Sequence, residues 1–335
     1  MSLLLSRSLS CRLAAILAVL VPALALCCLA ALCLGSTTLH PTDVLHALWG
    51  GADPMTQALV RSLRLPRLLL ALAAGASLSA GGLVFQALLR NPLAEPYIMG
   101  VSGGAAIGTI AALVLGLGSL ALRLPAAFAG GLATLTIVLA LGRSLRTSGR
   151  DTLLLAGVMV NAFCGAVILF LVSLSPHHLI ASVVFWLMGD LGSHAPADAL
   201  LLACAVLPCL AVVLVLAHGM NVLQLGEETA STMGLPVGAV RNALLWSTTV
   251  MVSATVAVCG PLGFIGLVTP HALRRLIGAD HRLLVPACVL GGGAYLALCD
   301  ALARALPASG ELPVGVVTAL LGAPAFVALL AGRRS

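Results

Sequence analysis

Long apolar runs follow one another along this chain, and short clusters of Arg, Pro, Gly and Asn separate them. A helix that crosses a bilayer needs roughly 20 predominantly apolar residues. On that measure the pattern predicts about ten spans. The first runs from Leu13 to Leu34, longer than the apolar core of a cleaved signal, and reads as an anchor. Next come Leu68–Leu89, Tyr97–Leu117, Leu124–Leu141 and Leu153–Leu174. They are followed by Leu200–Ala217, Ala243–Val258, Gly263–Leu276, Leu283–Leu302 and Val314–Leu330. The third is Gly-rich and the eighth is short, so their ends are the least sharply marked. Leu179–Leu191 is too short to cross and is expected as a partial or interfacial helix. Ser36–Pro66 is the longest polar excursion. Residues 1–335 read as a single transmembrane domain of all-α class, a polytopic helical bundle with no internal repeat visible by eye.

The basic residues orient the bundle. All 17 are arginine, and no lysine occurs. Cytoplasmic loops of membrane proteins carry the arginine excess. With the N-terminus inside, Arg7, Arg12, Arg90, Arg143, Arg146, Arg150, Arg241, Arg274, Arg275, Arg282, Arg333 and Arg334 are cytoplasmic. Arg61, Arg64, Arg67, Arg123 and Arg304 fall outside. Both termini are therefore expected in the cytoplasm. The cluster Arg61–Arg67 runs against the rule.

Composition agrees with the pattern: 61% hydrophobic and 8% charged residues, with a mean hydropathy of +1.14. A water-soluble domain carries about 25% charged residues. The ten cysteines lie in or beside apolar runs and read as small buried hydrophobes rather than bridges or ligands. A P-loop needs its lysine, so any ATP that drives this protein is bound by another polypeptide. The net charge of +6 is spread between apolar segments and does not point to nucleic acid.

Few motifs interrupt this picture. Gly100-Val101-Ser102-Gly103-Gly104 matches a nucleophile elbow in letters only, because that motif needs a strand-to-helix turn. Close helix packing explains it better. His271 reads first as a hydrogen-bonded bundle histidine, and His177 and His178 have no partner at metal-ligand spacing. No catalytic pair of carboxylates is apparent. Gly226 and Gly234 bracket a short polar helix with Glu227 and Glu228 in its first turn, where acids favour the helix dipole.

Taken in order, the interruptions form a set: Arg64-Leu65-Pro66-Arg67, Gln86, Arg90-Asn91-Pro92-Leu93-Ala94-Glu95-Pro96 and Gly100–Ala105. Leu154–Gly157, Trp186–Gly189, Leu225–Ala230 and Met233–Leu235 follow. Gly260–Leu267, Pro270-His271, Asp280-His281-Arg282, Asp300, Glu311–Gly315 and Gly322–Pro324 complete it. This ordered set, over roughly residues 60–330, resembles the FecCD/BtuC-type permeases of ABC importers for ferric siderophores, haem and vitamin B12.

The resemblance implies the type II importer permease fold in a bacterial inner membrane. It implies a homodimer, two ATP-binding cassette subunits that hold ATP and Mg, and one substrate-binding protein; the chain itself binds no cofactor. Gly226, Glu227, Glu228, Ala230 and Gly234 become the ATPase-coupling loop. Arg64, Arg67 and Arg304 become docking residues for the binding protein. Gln86, Asn91, Pro92, Pro270 and His271 become structural motif residues. The cargo expected first, as the larger class, is an iron chelate (ferric siderophore or haem), with cobalamin as the alternative. An ion-coupled secondary transporter is the rival of another class. It needs ionisable groups near the bilayer midplane, whereas most acids here fall at span ends. An intramembrane enzyme built on Ser102 and His271 is the third reading.

Overall fold

In a computed structural model the protein is described over residues 8–144, 150–192, 194–307 and 310–331. Arg7, Arg146, Arg333 and Arg334 of the orientation count lie outside these residues, as do the side chains of Arg143, Arg150 and Leu154. Every regular element among the described residues is helical. They are α1 (Leu9–Cys33), α2 (Pro41–Trp49), α3 (Pro54–Ala58), α4 (Leu65–Leu89), α5 (Val101–Val114) and α6 (Leu120–Ser144). Then follow α7 (Arg150–Leu174), α8 (His177–Leu187), α9 (Pro196–Val215), α10 (Ala217–Leu223) and α11 (Glu227–Thr232). The chain closes with α12 (Val237–Cys259), α13 (Ile265–Ile277), α14 (His281–Ala305) and α15 (Val314–Ala331).

Each of the expected spans coincides with one helix, and among the described residues seven are long and apolar enough to cross a membrane. The Gly-rich third and the short eighth are half-helices. At 1.5 Å per residue, α5 and α13 reach about 20 Å, short of a hydrocarbon core of about 30 Å. A non-helical stretch precedes each, 90–100 before α5 and 260–264 before α13. Such backbone is tolerated at membrane depth only when protein covers it. The segment expected beyond the fifth span is α8. The excursion before the second span is more ordered than expected. It holds α2 and α3, and α3 runs through a π-helical turn at Leu59–Arg64 into α4 as one 36-residue helix, Pro54–Leu89. Pro66, expected in the polar excursion before the second span, lies inside this helix. A proline removes one ladder hydrogen bond and crowds the preceding turn, and the π turn just upstream gives it room.

The helix α4 is the mast of the bundle, with 83% of its apolar window buried against 17% for α1. It packs on α9, α12, α13 and α14. Lipid gives helices no hydrophobic drive to associate, so close van der Waals packing must supply it. At Gly75 the α4 backbone meets Gly292 of α14, and at Gly82 it meets Gly266 of α13, leaving no room for a Cβ at either place.

An inverted repeat appears in the packing. Under the exchange of α4, α5, α6 and α7 for α12, α13, α14 and α15, the principal contacts among these eight helices map onto one another. α4 packs on α13 and α14, and α12 on α5 and α6. α5 packs on α6 and α7, and α13 on α14 and α15. α9 touches both central helices, α4 and α12. Because α4 and α12 are even and odd members of the series of spans, the halves run in opposite senses, which hides the repeat from inspection by eye.

One polar contact secures the central crossing. Gln86 is buried and its Nε2 donates to the Gly266 carbonyl at 3.2 Å. In an unbroken helix that carbonyl would accept from residue 270, which is Pro270 and has no N–H. Gln86 therefore supplies from α4 the donor that α13 lacks. Gln86→Leu should lower stability by about 1–3 kcal/mol, the cost of a buried unsatisfied carbonyl. In the Gln86→Leu/Pro270→Ala double variant the restored amide should recover about 1 kcal/mol relative to additivity. Denaturation of the four-member cycle in one detergent measures the term, and strict additivity would contradict this account.

Candidate functional site

The polar interruptions collect at the two ends of the bundle. At one end α10 and α11 project beside the start of α12. Gly226, at φ 123°, and Gly234, at φ 83°, adopt left-handed backbone that a side chain would strain, and they fix both corners of α11. The Leu235 amide closes back on the Ala230 carbonyl at 3.0 Å, and Ala230 is fully buried beneath the short helix. Glu227 reaches Arg241 of α12 at 3.1 Å, while Glu228 points to solvent. Leu225 and Met233 flank the helix and are each 62% exposed. This six-residue helix turns acidic and apolar groups outward and has a glycine at each corner. It contains no nucleophile–base pair.

This projection is tied to the turn between α13 and α14. Asn221 of α10 donates to Asp280 at 2.7 Å and accepts from the His281 amide at 2.9 Å. Asp280 also holds Arg282 at 2.7 Å. Hydrogen bonds from Arg282, then from Asn221, keep the Asp280 carboxyl well below the usual carboxylate range, against the opposing effect of burial.

The opposite end holds the three arginines expected as docking residues, and the structure corrects their placement. Arg64 and Arg304 are 5% and 7% exposed, so they do not form a free rim. Arg64 donates to the carbonyls of Leu32 (2.6 Å), Cys33 (3.1 Å) and Thr37 (2.5 Å). Arg304 donates to those of Ala31 (2.8 Å) and Leu34 (3.0 Å). A helix leaves its last carbonyls without partners, and cations are favoured there. These two guanidiniums cap the end of α1. Arg61 does the same for α2 through the Leu48 carbonyl at 2.7 Å. Capping accounts for the arginine cluster that runs against the charge asymmetry. Arg67 instead bridges Asp300 (2.7 Å) and Glu311 (2.5 Å), and Asp300 also pairs with Arg304 (3.1 Å). Glu311 is the accessible member, at 43%. A cavity of about 340 Å³ opens over Arg64, Arg67, Asp190, His194, Arg304 and Glu311.

The motif residues between the ends shape the half-helices. Asn91 Oδ1 accepts from the Leu93 amide at 2.9 Å, folding the turn that Pro92 continues. His271 is buried in α13 with its ring edge-on to Phe326, at 5.8 Å between centroids. Ser102 is buried in α5 beside a Gly104–Gly130 contact, so the elbow-like letters serve helix packing. His177 and His178 are exposed, and among the described residues no group of three His, Cys, Asp or Glu could hold a metal. The ten cysteines are unpaired thiols.

Sequence reasoning gave no role to three acids. Asp300 is the hub of the arginine network; its four-residue spacing to Arg304 was the available signal. Glu311 is the second partner of Arg67. Glu95, in the connection before α5, is buried and accepts a hydrogen bond from the Phe264 amide at the entry to α13.

Comparisons with known proteins place this architecture. The model of the FecCD transport family matches residues 23–332. The chain is 42% identical over 310 residues to the vitamin B12 import system permease protein BtuC of Escherichia coli O17:K52:H18, covering 91% of this chain and 92% of that protein. It is 42% identical over 283 residues to the cobalamin import system permease protein BtuC of Halobacterium salinarum, covering 84% and 76%. A solved structure assigned to the metal-chelate type of ABC transporter, in an inward-facing conformation, superposes with a TM-score of 0.84 at 32% identity. It covers 95% of this chain and 99% of that one. PsaBC from Streptococcus pneumoniae shares the fold alone, with a TM-score of 0.59 at 16% identity, over 87% of this chain and 95% of that one.

Removing Asp300 leaves two buried guanidiniums facing each other. Asp300→Asn should cost about 3–5 kcal/mol of stability, read as a fall in the thermal midpoint of the purified protein.

Proposed function

We propose, from the premise that this chain belongs to the FecCD transport family, that it is the permease of an ATP-driven importer whose cargo is a corrinoid of the vitamin B12 type. The coarser statement is already secure: it is an ABC importer permease, a transport subunit in a membrane. The cargo reverses the order of the sequence reading, which put iron chelates first on class size. Two relatives at 42% identity, one bacterial and one archaeal, carry vitamin B12 or cobalamin in their names and support the change.

The observation that carries the mechanism is the projecting α11 with exposed Leu225 and Met233 on a chain that contains no lysine. The engine is a separate ATPase, holding ATP and Mg, and α11 is the surface it grips. Two copies of the chain line one pathway, with two ATPase subunits against the α11 ends and a binding protein at the arginine end. The α11 end then faces the cytoplasm of a bacterial cell, and both termini lie on that side of the inner membrane. At the other end Arg67 and Glu311 form the part of the network that an incoming protein can reach. ATP binding and hydrolysis shift the dimer between outward- and inward-facing states.

Proteoliposomes containing the permease, its ATPase and a cobalamin-loaded binding protein should accumulate cobalamin only with ATP. Leu225→Asp/Met233→Asp should reduce uptake about tenfold or more, the scale of a lost apolar hot spot. The thermal midpoint should hold, because both side chains are exposed. Uptake of a ferric hydroxamate in place of cobalamin would overturn the cargo, and full uptake by the double variant would overturn the coupling surface.

A further inference from the structure

α1 is buried most deeply at one end. Its buried side chains are Ala31 and Leu32, at the end capped by Arg64 and Arg304. Toward its N-terminus it keeps contact through Arg12, Ile16 and Leu20 but is more exposed, and a groove of about 640 Å³ lies between it, the end of α13 and the turn into α14. The walls are aliphatic, with Ile16, Val19 and Leu20 on one side and Leu276 and Ile277 on the other. Val19 is 68% and Leu276 72% exposed.

The charged residues lining this groove are few. Arg12 and Arg275 both line it. Arg12 donates to the Ile277 carbonyl at 3.4 Å and Arg275 to the Leu329 carbonyl, so each keeps further N–H donors in hand. Neither pairs with a carboxylate among the described residues. The one acid in the lining, Asp280, is already committed to Arg282 and Asn221. The site is thus an apolar slot between helices whose lining includes two guanidiniums without a carboxylate partner among the described residues.

We propose that the groove binds one anionic diacyl phospholipid, an acyl chain lying between α1 and α13 and the phosphate held by Arg12 and Arg275. Two arguments select this occupant over a peptide or a second copy of the chain. The groove opens along a membrane-spanning helix, where hydrocarbon chains are the surrounding solvent. The guanidinium fork matches a phosphate oxygen pair, and basic pockets between membrane helices suit anionic headgroups. The site also has a neighbour of consequence. The Gly278–Asp280 turn that floors it is hydrogen-bonded through Asp280 to Asn221 of α10, which leads into α11. A seated lipid braces the turn on which the projecting segment rests.

The test is native mass spectrometry of the full-length permease released from nanodiscs made of phosphatidylglycerol and phosphatidylethanolamine in equal amounts. The wild type should retain one phosphatidylglycerol per chain, preferred about 30-fold, the factor expected for two arginines near a headgroup. Arg12→Ala/Arg275→Ala should lose that preference. Ala15→Trp, which keeps both arginines but fills the groove, should lose the retained lipid. An unchanged thermal midpoint in each variant separates this loss from misfolding. Retention at the wild-type level in the arginine variant would overturn the headgroup assignment. Retention in Ala15→Trp would overturn the seating of the chain and reduce the effect to surface attraction. Neither readout depends on transport or on the identity of the cargo.

Discussion

The fold depends on the contact between α4 and the two helices it crosses, α13 and α14. Backbone meets backbone at Gly82–Gly266 and Gly75–Gly292, and nothing larger than hydrogen fits there. In a bilayer this closeness is itself the attraction, because apolar side chains gain little by exchanging lipid for protein. The same closeness lets Gln86 reach the one carbonyl that Pro270 leaves without a donor. A half-helix such as α13 begins among other helices rather than in water, so its irregular entry must be satisfied from outside itself. Glu95 does this at Phe264 and Gln86 does it one turn later. Without α4 in place, α13 would have a bare first turn and no partner for its glycine face.

The inverted repeat gives that contact its architectural meaning. α5 and α13 are corresponding half-helices, each following a non-helical stretch and each packed on the central long helix of the other half. Two interleaved halves cannot be separated without exposing both sets of irregular backbone. This explains how a chain with few polar groups carries two long non-helical segments inside the bundle. The buried ion pairs lie elsewhere, at the bundle end, where they secure α1 and α14 instead of the interior.

Much of this was legible in the sequence, and the rest was hidden for physical reasons. Apolar run length located every main helix, because the bilayer imposes it. It could not separate a full span from a half-helix preceded by buried coil, since both present similar composition. Residues up to Pro66 fell outside the second span because arginines interrupt the apolar run there, whereas continuity through the π turn is a property of the whole 36-residue rod. Gly226 and Gly234 marked the corners of α11 correctly, since left-handed backbone has a direct sequence signature. Arg64 and Arg304 were placed at the right end and in the wrong setting. A charge near a span end looks free until the carbonyls it caps, 30 or more residues upstream, are brought to it by folding. Asp300 carried only a four-residue spacing as a clue, and Glu95 none beyond its motif. The cargo was beyond the residues altogether, because shared motifs record the machine and not the load.

The two ends of the bundle are joined by the same pair of rods. α14 begins at His281, bound to Asn221 next to the projecting segment, and ends with Asp300 and Arg304 in the arginine network. α4 begins beside Arg67 in that network and ends at Arg90, close to Gly226 at the corner of α11. These rods are packed glycine to glycine at Gly75 and Gly292, so sliding between them is sterically opposed. A tilt of the pair therefore displaces both ends at once, in opposite directions about the crossing. Domains that move as rigid bodies about packed interfaces are a recurrent basis for switching. Here the pair is held at the Gly75–Gly292 contact, and the polar residues that interrupt an otherwise apolar chain lie at its two ends.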